Sequence, residues 1–289
     1  MKQLIQYLSD GKTFISNIPS PKIKKGHILI STNLTLISSG TERMLVEFGK
    51  SNLIEKAKSQ PDKVKQVLEK CKTDGVQTTF NAVKSKLEQP IPLGYNNVGI
   101  IIGLGEGVKG FNLGQRVVSN GPHAEIVLAP QNLCSAVPDD VEDETAVFTV
   151  VASIGLQGIR LANPVIGETV LVIGLGLIGL LTAQLLIAQG CKVLGLDTNL
   201  KRCKIAESYG IDTFCLDNND NPLIWCTSQT KGIGVDAVII TAATSSNEPI
   251  DLAAKVCRKR GRIILVGVTG LDLKRDLFYK KELTFQVSC

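Results

Sequence analysis

The spacing of apolar residues changes period three times along the chain. Over residues 1–44, short β-like runs at Lys2–Leu8, Thr13–Ile18 and His27–Ile37 are separated by Asp10-Gly11 and Pro19–Gly26, which predicts strands of an all-β unit. From 50 to 88 the period lengthens. Val64, Val67, Leu68 and Cys71 recur at helical spacing, and Phe80, Val83 and Leu87 form a second stripe. Pro61-Asp62 suits the first turn of one helix and Asp74-Gly75 a break between two, with the lysines of this stretch read as a solvated face. Strand patterning returns from 91 to 137, at Val98–Ile102, Arg116–Ser119 and Ala124–Leu128. Beyond about 149, a helical Val150–Leu161 leads into alternation. Strands are predicted at Thr169–Ile173, Lys192–Leu196, Ala237–Thr241, Arg262–Val266 and Leu283–Val287, with helices between them. Strand–helix alternation means crossover units on a parallel sheet. The expectation is an α/β chain with a β-rich unit over 1–148, carrying a helical insertion at about 50–88, and a doubly wound unit over 149–289.

The sharpest local signal sits at the head of the second unit. Thr169–Ile173 runs directly into Gly174-Leu-Gly176-Leu177-Ile178-Gly179, and a helix is expected to open on the third glycine. Gly174 permits the tight turn, and Gly176 lets backbone approach a pyrophosphate. Gly179 allows helix and strand to pack closely, with phosphates held on the helix N-terminus. The next strand ends in Asp197, about 20 residues on, where a carboxylate would meet ribose hydroxyls. The acid favours NAD over NADP because it repels a 2′-phosphate, although Lys201 and Arg202 lie just beyond to receive one.

Composition narrows the classes left open. Of the 289 residues, 44% are hydrophobic, enough for a sizeable core. The net charge of +5 is spread evenly, and aromatic residues make up 4%, so neither a nucleic-acid face nor a base-stacking platform is expected. Eight cysteines show no C-x-x-C spacing, and His27 and His123 are the two histidines, which leaves no zinc-site spacing. Dispersed thiols of this kind read as reduced residues of a cytoplasmic protein. The N-terminus lacks a signal-peptide pattern, and the apolar stretch Leu171–Ala188 is interrupted by glycines, Thr182 and Gln184, so no membrane span is expected.

Taken together, the chain resembles the medium-chain dehydrogenase/reductase superfamily, in which a GroES-like β-barrel domain precedes a dinucleotide-binding domain. The resemblance runs through Leu36-Ile-Ser-Ser-Gly-Thr-Glu42, Pro92-Leu-Gly-Tyr-Asn-Asn-Val-Gly99, Gly103–Val117, Ala124–Pro130, Gly174–Gly179 and Gly261–Gly267. The insertion, with Gln-Pro-Asp-Lys-Val-Lys-Gln-Val-Leu at 60–68, is similar to that of the bi-domain oxidoreductases, where a second oxidoreductase domain follows. The resemblance implies a Rossmann-type second unit and an NAD(P)-dependent oxidoreductase acting on an alcohol or carbonyl, with a sugar-derived substrate by analogy. It also leaves open an NADPH-dependent quinone or enone reductase, or a cofactor-binding module without catalysis in a larger protein. The partners it implies are a small-molecule substrate and either a homodimer through the Rossmann domain or a fused oxidoreductase domain. Family members continue with a return to the barrel, whereas this sequence stops at Cys289.

At the positions where zinc-dependent members carry metal ligands, the resemblance aligns Ser39, Tyr95, Asn96 and Thr149. Serine, tyrosine and threonine are poor zinc donors, so the expectation is a zinc-free member with no metal site. The resemblance then brings Thr41, Tyr95 and His123 toward the substrate as non-metal donors, with His123 as proton exchanger and Thr41 or Tyr95 as donor to the substrate oxygen. Alternatively, Thr41 is a strand-end threonine, Tyr95 a packing residue and His123 a structural histidine. Glu42 stands where the family has a supporting acid, with a surface or structural role expected here. Ser153, Thr241, Ala242, Gly267 and Val268 are implied as cofactor contacts, beside Gly174, Gly176, Leu177, Ile178, Gly179, Asp197 and Arg202.

Overall fold

The predicted strands at the start of the chain pair as an antiparallel hairpin, β1 (Lys2–Tyr7) with β2 (Thr13–Asn17), and β1 also pairs with the short β4 (Pro90–Pro92). In the computed structural model the described residues are 1–216 and 221–288, so Cys289 lies outside them. A second antiparallel sheet is built from β3 (His27–Thr35), β5 (Asn97–Leu104), β6 (Arg116–Ser119), β7 (Ile126–Pro130) and β8 (Cys134–Ala136), in the order β7-β3-β5-β6-β8. Ile28, Ile30, Ile101, Val117 and Val127 fill one core of this unit, and Val98, Val118, Val137 and Val147 another. Each such side chain contributes roughly 1.5–3 kcal/mol when fully buried. Two compact units result, Met1–Val150 and Val151–Cys289.

Four helices separate β3 from β4: α1 (Thr41–Lys50), α2 (Leu53–Ser59), α3 (Pro61–Asp74) and α4 (Val76–Glu88). Pro61 opens α3 and Gly75, at φ 86°, divides α3 from α4, as the turn chemistry predicts. Helix α1 is the departure. The strand expected to reach Ile37 ends at Thr35, and Thr41 begins a helix instead of closing a strand. The pattern concealed it because its buried positions are Glu42 and Gly49, while Met44 and Leu45 face solvent. A helix buried on polar and small residues gives no apolar stripe to read. The strand expected at Ala124–Leu128 is displaced to Ile126–Pro130, with Ala124 left in an isolated bridge to Gln3.

After α5 (Asp143–Ala146) and α6 (Thr149–Ala162), the second unit is a six-stranded parallel sheet. Its strands are β9 (Thr169–Ile173), β10 (Lys192–Asp197), β11 (Asp212–Cys215), β12 (Val235–Ile240), β13 (Cys257–Leu265) and β14 (Thr284–Val287). They lie in the order β11-β10-β9-β12-β13-β14, with every neighbouring pair parallel. This is the doubly wound order 3-2-1-4-5-6, whose reversal falls between β9 and β12. The connecting helices are α7 (Leu177–Ala188), α8 (Leu200–Ser208), α9 (Pro222–Gln229), α10 (Glu248–Val256) and α11 (Arg275–Lys281). Both faces of the sheet are apolar, and alternation within each strand divides them. Val170, Val172, Ala237 and Ile239 enter one core, and Leu171, Ile173, Val238 and Ile240 the other. The edge strand β11, four residues long, carried no pattern that predicted it.

Candidate functional site

The glycine-rich turn lies at the carboxyl end of β9, beside the reversal of strand order. Gly174 has φ 97°, and a Cβ there would lie 2.7 Å from Ala242 N. Gly179 is tighter still, because its Cβ would approach Gly174 O to 1.8 Å. Both positions exclude a side chain for reasons internal to the fold. Gly176 differs: nothing lies within 4 Å of the Cβ position, and its φ of −71° suits any residue. Gly176 is the N-cap of α7, so the helix opens at Leu177 and not at the third glycine as expected. No side chain caps α7. Helix geometry therefore leaves the N–H groups of Leu177, Ile178 and Gly179 without intrahelical acceptors. The result is an anion-accepting end with open space in front of its N-cap.

Neighbouring strand ends brace this turn. The Thr241 hydroxyl donates to Gly174 O at 2.6 Å, and Thr241 N and Ala242 N both donate to Ile173 O. β12 ends at Ile240, one residue short of the expected strand, which frees Thr241 for these bonds. Gly267 N donates to Ile240 O and Val268 N to Ala242 O, and a Cβ on Gly267 would meet Ala242 O at 2.1 Å. Thr241, Ala242, Gly267 and Val268 are thus gathered at the carboxyl ends of β12 and β13. Ser153 is exposed near the start of α6, two residues before Gly155, whose Cβ would contact Thr182 of α7.

Asp197 closes the turn from β10. Its side chain is buried, Oδ2 accepts from Leu175 N at 2.7 Å, and Oδ1 accepts from Asn199 N at 2.8 Å. The half-exposed Arg202 guanidinium stands 3.5 Å from Oδ2. The acid therefore supports the glycine turn. Sequence spacing pointed to a ribose contact and not to this bracing.

In the first unit, Thr41, Tyr95 and His123 come together with a fourth residue. Tyr95 Oη donates to Thr41 Oγ1 at 3.4 Å, and the next residue along α1, Glu42, accepts from His123 Nε2 at 2.9 Å. The other carboxylate oxygen, Glu42 Oε1, accepts from Ser38 N at 2.7 Å. Glu42 and His123 are both buried, so the acid is not at the surface. The imidazole lies against Gly94, where an added Cβ would sit 2.6 Å from the ring, and His123 Nδ1 is buried without a hydrogen-bond partner among the described residues. Asn96 is fully buried, and neither of its amide atoms has a partner among the described residues. At the other aligned positions, Ser39 is exposed and the Thr149 hydroxyl donates to Ala146 O. Hydroxyls and an amide make a poor zinc donor set. Among the described residues no group of three or more His, Cys, Asp or Glu side chains could hold a metal.

A family profile described as zinc-binding dehydrogenase matches residues 178–289, a span that contains none of those aligned positions. A sorbitol dehydrogenase of Halalkalibacterium halodurans is 30% identical over 215 residues, 62% of this chain. The chain spans 61% of that relative's length. Over part of its length the chain is thus similar to zinc-type dehydrogenases. Solved structures of the same architecture include galactitol-1-phosphate dehydrogenase from Escherichia coli, with TM-score 0.78 and 20% identity, covering 100% of this chain and 83% of that one. Another is a mycobacterial protein complexed with NADPH, with TM-score 0.73 and 20% identity, covering 100% of this chain and 82% of that one. In fold, the chain combines a GroES-like antiparallel unit with a Rossmann-like parallel sheet. Among the described residues, no helix is long and apolar enough to cross a membrane.

Proposed function

We propose that the chain is an NAD(P)-dependent oxidoreductase that interconverts an alcohol and a carbonyl on a polyol or other sugar-derived substrate. The observation that carries this reading is Gly176. It is the one glycine of the turn for which the fold offers no steric reason, with open space at its Cβ position, and it caps a helix end that no side chain caps. A dinucleotide pyrophosphate fits that combination: Gly176 admits its approach, and the amides of Leu177, Ile178 and Gly179 receive its charge. The nicotinamide, when bound, supplies or accepts the hydride. Ser153, Thr241, Ala242, Gly267 and Val268 form its surroundings, and Asp197 holds the ribose hydroxyls. The buried acid favours NAD, while Arg202, already 3.5 Å from it, offers a 2′-phosphate a partner. The preference is therefore for NAD, with NADP accepted more weakly.

The polyol class is supported by the relatives, which include a sorbitol dehydrogenase and, by fold, a galactitol-1-phosphate dehydrogenase. The oxygen of the reacting group would be polarised by hydroxyl donors, for which Thr41 and Tyr95 already form a pair. We read the enzyme as zinc-free on the chemistry of Ser39, Tyr95, Asn96 and Thr149, and as a cytoplasmic protein with reduced thiols. It would work as a homodimer through the Rossmann unit or beside a fused oxidoreductase domain. A panel of hexitols, pentitols and their phosphates with NAD⁺ and NADP⁺, followed by reduced-nicotinamide absorbance, tests the reading. Turnover of at least one polyol is expected. Tight cofactor binding with no turnover of any alcohol or ketose would instead favour a cofactor-binding module without catalysis.

A further inference from the structure

The buried Glu42–His123 pair has a place in the geometry that differs from proton exchange. Glu42 is the second residue of α1 and Thr41 the first. Its carboxylate grips two points at once, the Ser38 amide just before the helix and the His123 ring 81 residues later. With a carboxylate as acceptor, Nε2 carries the imidazole proton. The ring is held in turn by the Gly94 backbone, next to Tyr95, and by the His123 main chain, which bonds to Leu4 N and Leu93 O. The start of α1 and the Gly94-Tyr95 turn are therefore clamped from both sides of one imidazole. The two residues adjoining that clamp are Thr41 and Tyr95, whose hydroxyls meet at 3.4 Å. The remaining nitrogen, Nδ1, is buried and unpartnered. Among the described residues no hydrogen bond links it to either hydroxyl.

We propose that Glu42 and His123 are positioning residues that set the Thr41–Tyr95 hydroxyl pair, and that the hydroxyl pair alone faces the substrate oxygen. This rests on the proposed oxidoreductase reading for its chemistry, but the clamp can be read without turnover. The role assigned to His123 then needs only an N–H at the Nε2 position. A glutamine places an amide N–H there and cannot exchange a proton near neutrality, so His123→Gln separates positioning from exchange.

The direct experiment is NMR of the full chain with ¹³C-labelled tyrosine, the Tyr95 signal being assigned through Tyr95→Phe. Thr41→Val should move that signal, Glu42→Asp should move it because the shorter arm cannot hold Ser38 and His123 together, and His123→Gln should return it close to the wild-type position. A Tyr95 signal unmoved by Glu42→Asp would overturn the proposal whether or not the protein turns over. Once a polyol substrate is in hand, His123→Gln should retain kcat within about fivefold with the wild-type pH profile, and Thr41→Val should lower kcat in wild type but add nothing in Glu42→Asp. Loss of about 10²–10⁴ in His123→Gln, the range for a general acid–base, together with a missing limb in its profile, would make His123 the exchanger and end the positioning account. Absence of any turnover would count against the oxidoreductase reading alone, since the NMR result stands apart from it.

Discussion

The glycine-rich turn of the second unit and the Thr41–Tyr95 cluster of the first are both built from a few residues at the ends of elements, yet they are held together differently. Around Gly174–Gly179 the restraints are mostly main chain: Gly174 and Gly179 press against backbone atoms, and Thr241 and Asp197 bond to backbone groups of the turn. The first-unit cluster hangs on side chains reaching across the sequence, Tyr95 to Thr41 over 54 residues and His123 to Glu42 over 81. A backbone-built site tolerates no added atom where it is packed and any added atom where it is open. A side-chain-built site tolerates changes that preserve the donor and fails when the donor is lost. Where the turn is open, at Gly176, packing within the fold gives no reason for a glycine.

Substitutions can break this contrast, beginning with the largest effects. His123→Ala leaves a buried carboxylate without its partner and should destabilise the first unit by about 3–5 kcal/mol in urea titration; a loss below about 1 kcal/mol would show the pair to be incidental. Gly179→Ala forces a methyl against Gly174 O and should cost roughly 3 kcal/mol or more, whereas Gly176→Ala should stay within about 0.5 kcal/mol of wild type. Equal costs at the two glycines would remove the distinction between packed and open positions. Asp197→Ala removes the acceptor of Leu175 N and Asn199 N and should cost about 2 kcal/mol while narrowing the preference for NAD over NADP. An unchanged preference would confine Asp197 to bracing the turn.

The pH dependence is smaller near neutrality. Burial pushes the thiols of Cys226 and Cys257 up to about 12, and those of Cys134 and Cys203 up to about 11. An unfolded thiol ionises near 8.5, so the native state binds these protons more tightly. Their stabilising contribution is fully present below about pH 8.5 and is lost as pH rises toward 11–12. Alkylation at pH 8 should label the partly exposed Cys71 well before any of these four. Rapid labelling of Cys226 in the folded protein would contradict the core in which it sits.

How far each region could be read from sequence follows from the same contrast. β9, the turn and β10 were legible because strand alternation, glycine spacing and an acid about 20 residues on are local features with a local cause. Their refinements, the N-cap at Gly176 and the frayed end of β12 at Thr241, shift boundaries by one or two residues. Thr41, Tyr95 and His123 came from family resemblance and do lie in one cluster, but for Glu42 the expectation was a surface or structural role. Its part was hidden because α1 buries a carboxylate and a glycine, so neither helix nor clamp left an apolar signal. A buried acid opposite the chain's second histidine becomes visible only when β1, α1 and the Gly94 turn are placed together. The buried amide of Asn96 has no counterpart in any pattern and no partner among the described residues.

The central claim, that Gly176 is kept open for a dinucleotide, is tested most directly by calorimetry of NAD⁺ and NADP⁺ binding to the wild-type chain and to Gly176→Val. The account predicts binding of both nucleotides to wild type, tighter for NAD⁺. The variant should keep its urea midpoint to within about 0.5 kcal/mol in stability while binding of both falls below detection. Undiminished binding by a folded Gly176→Val protein would contradict it.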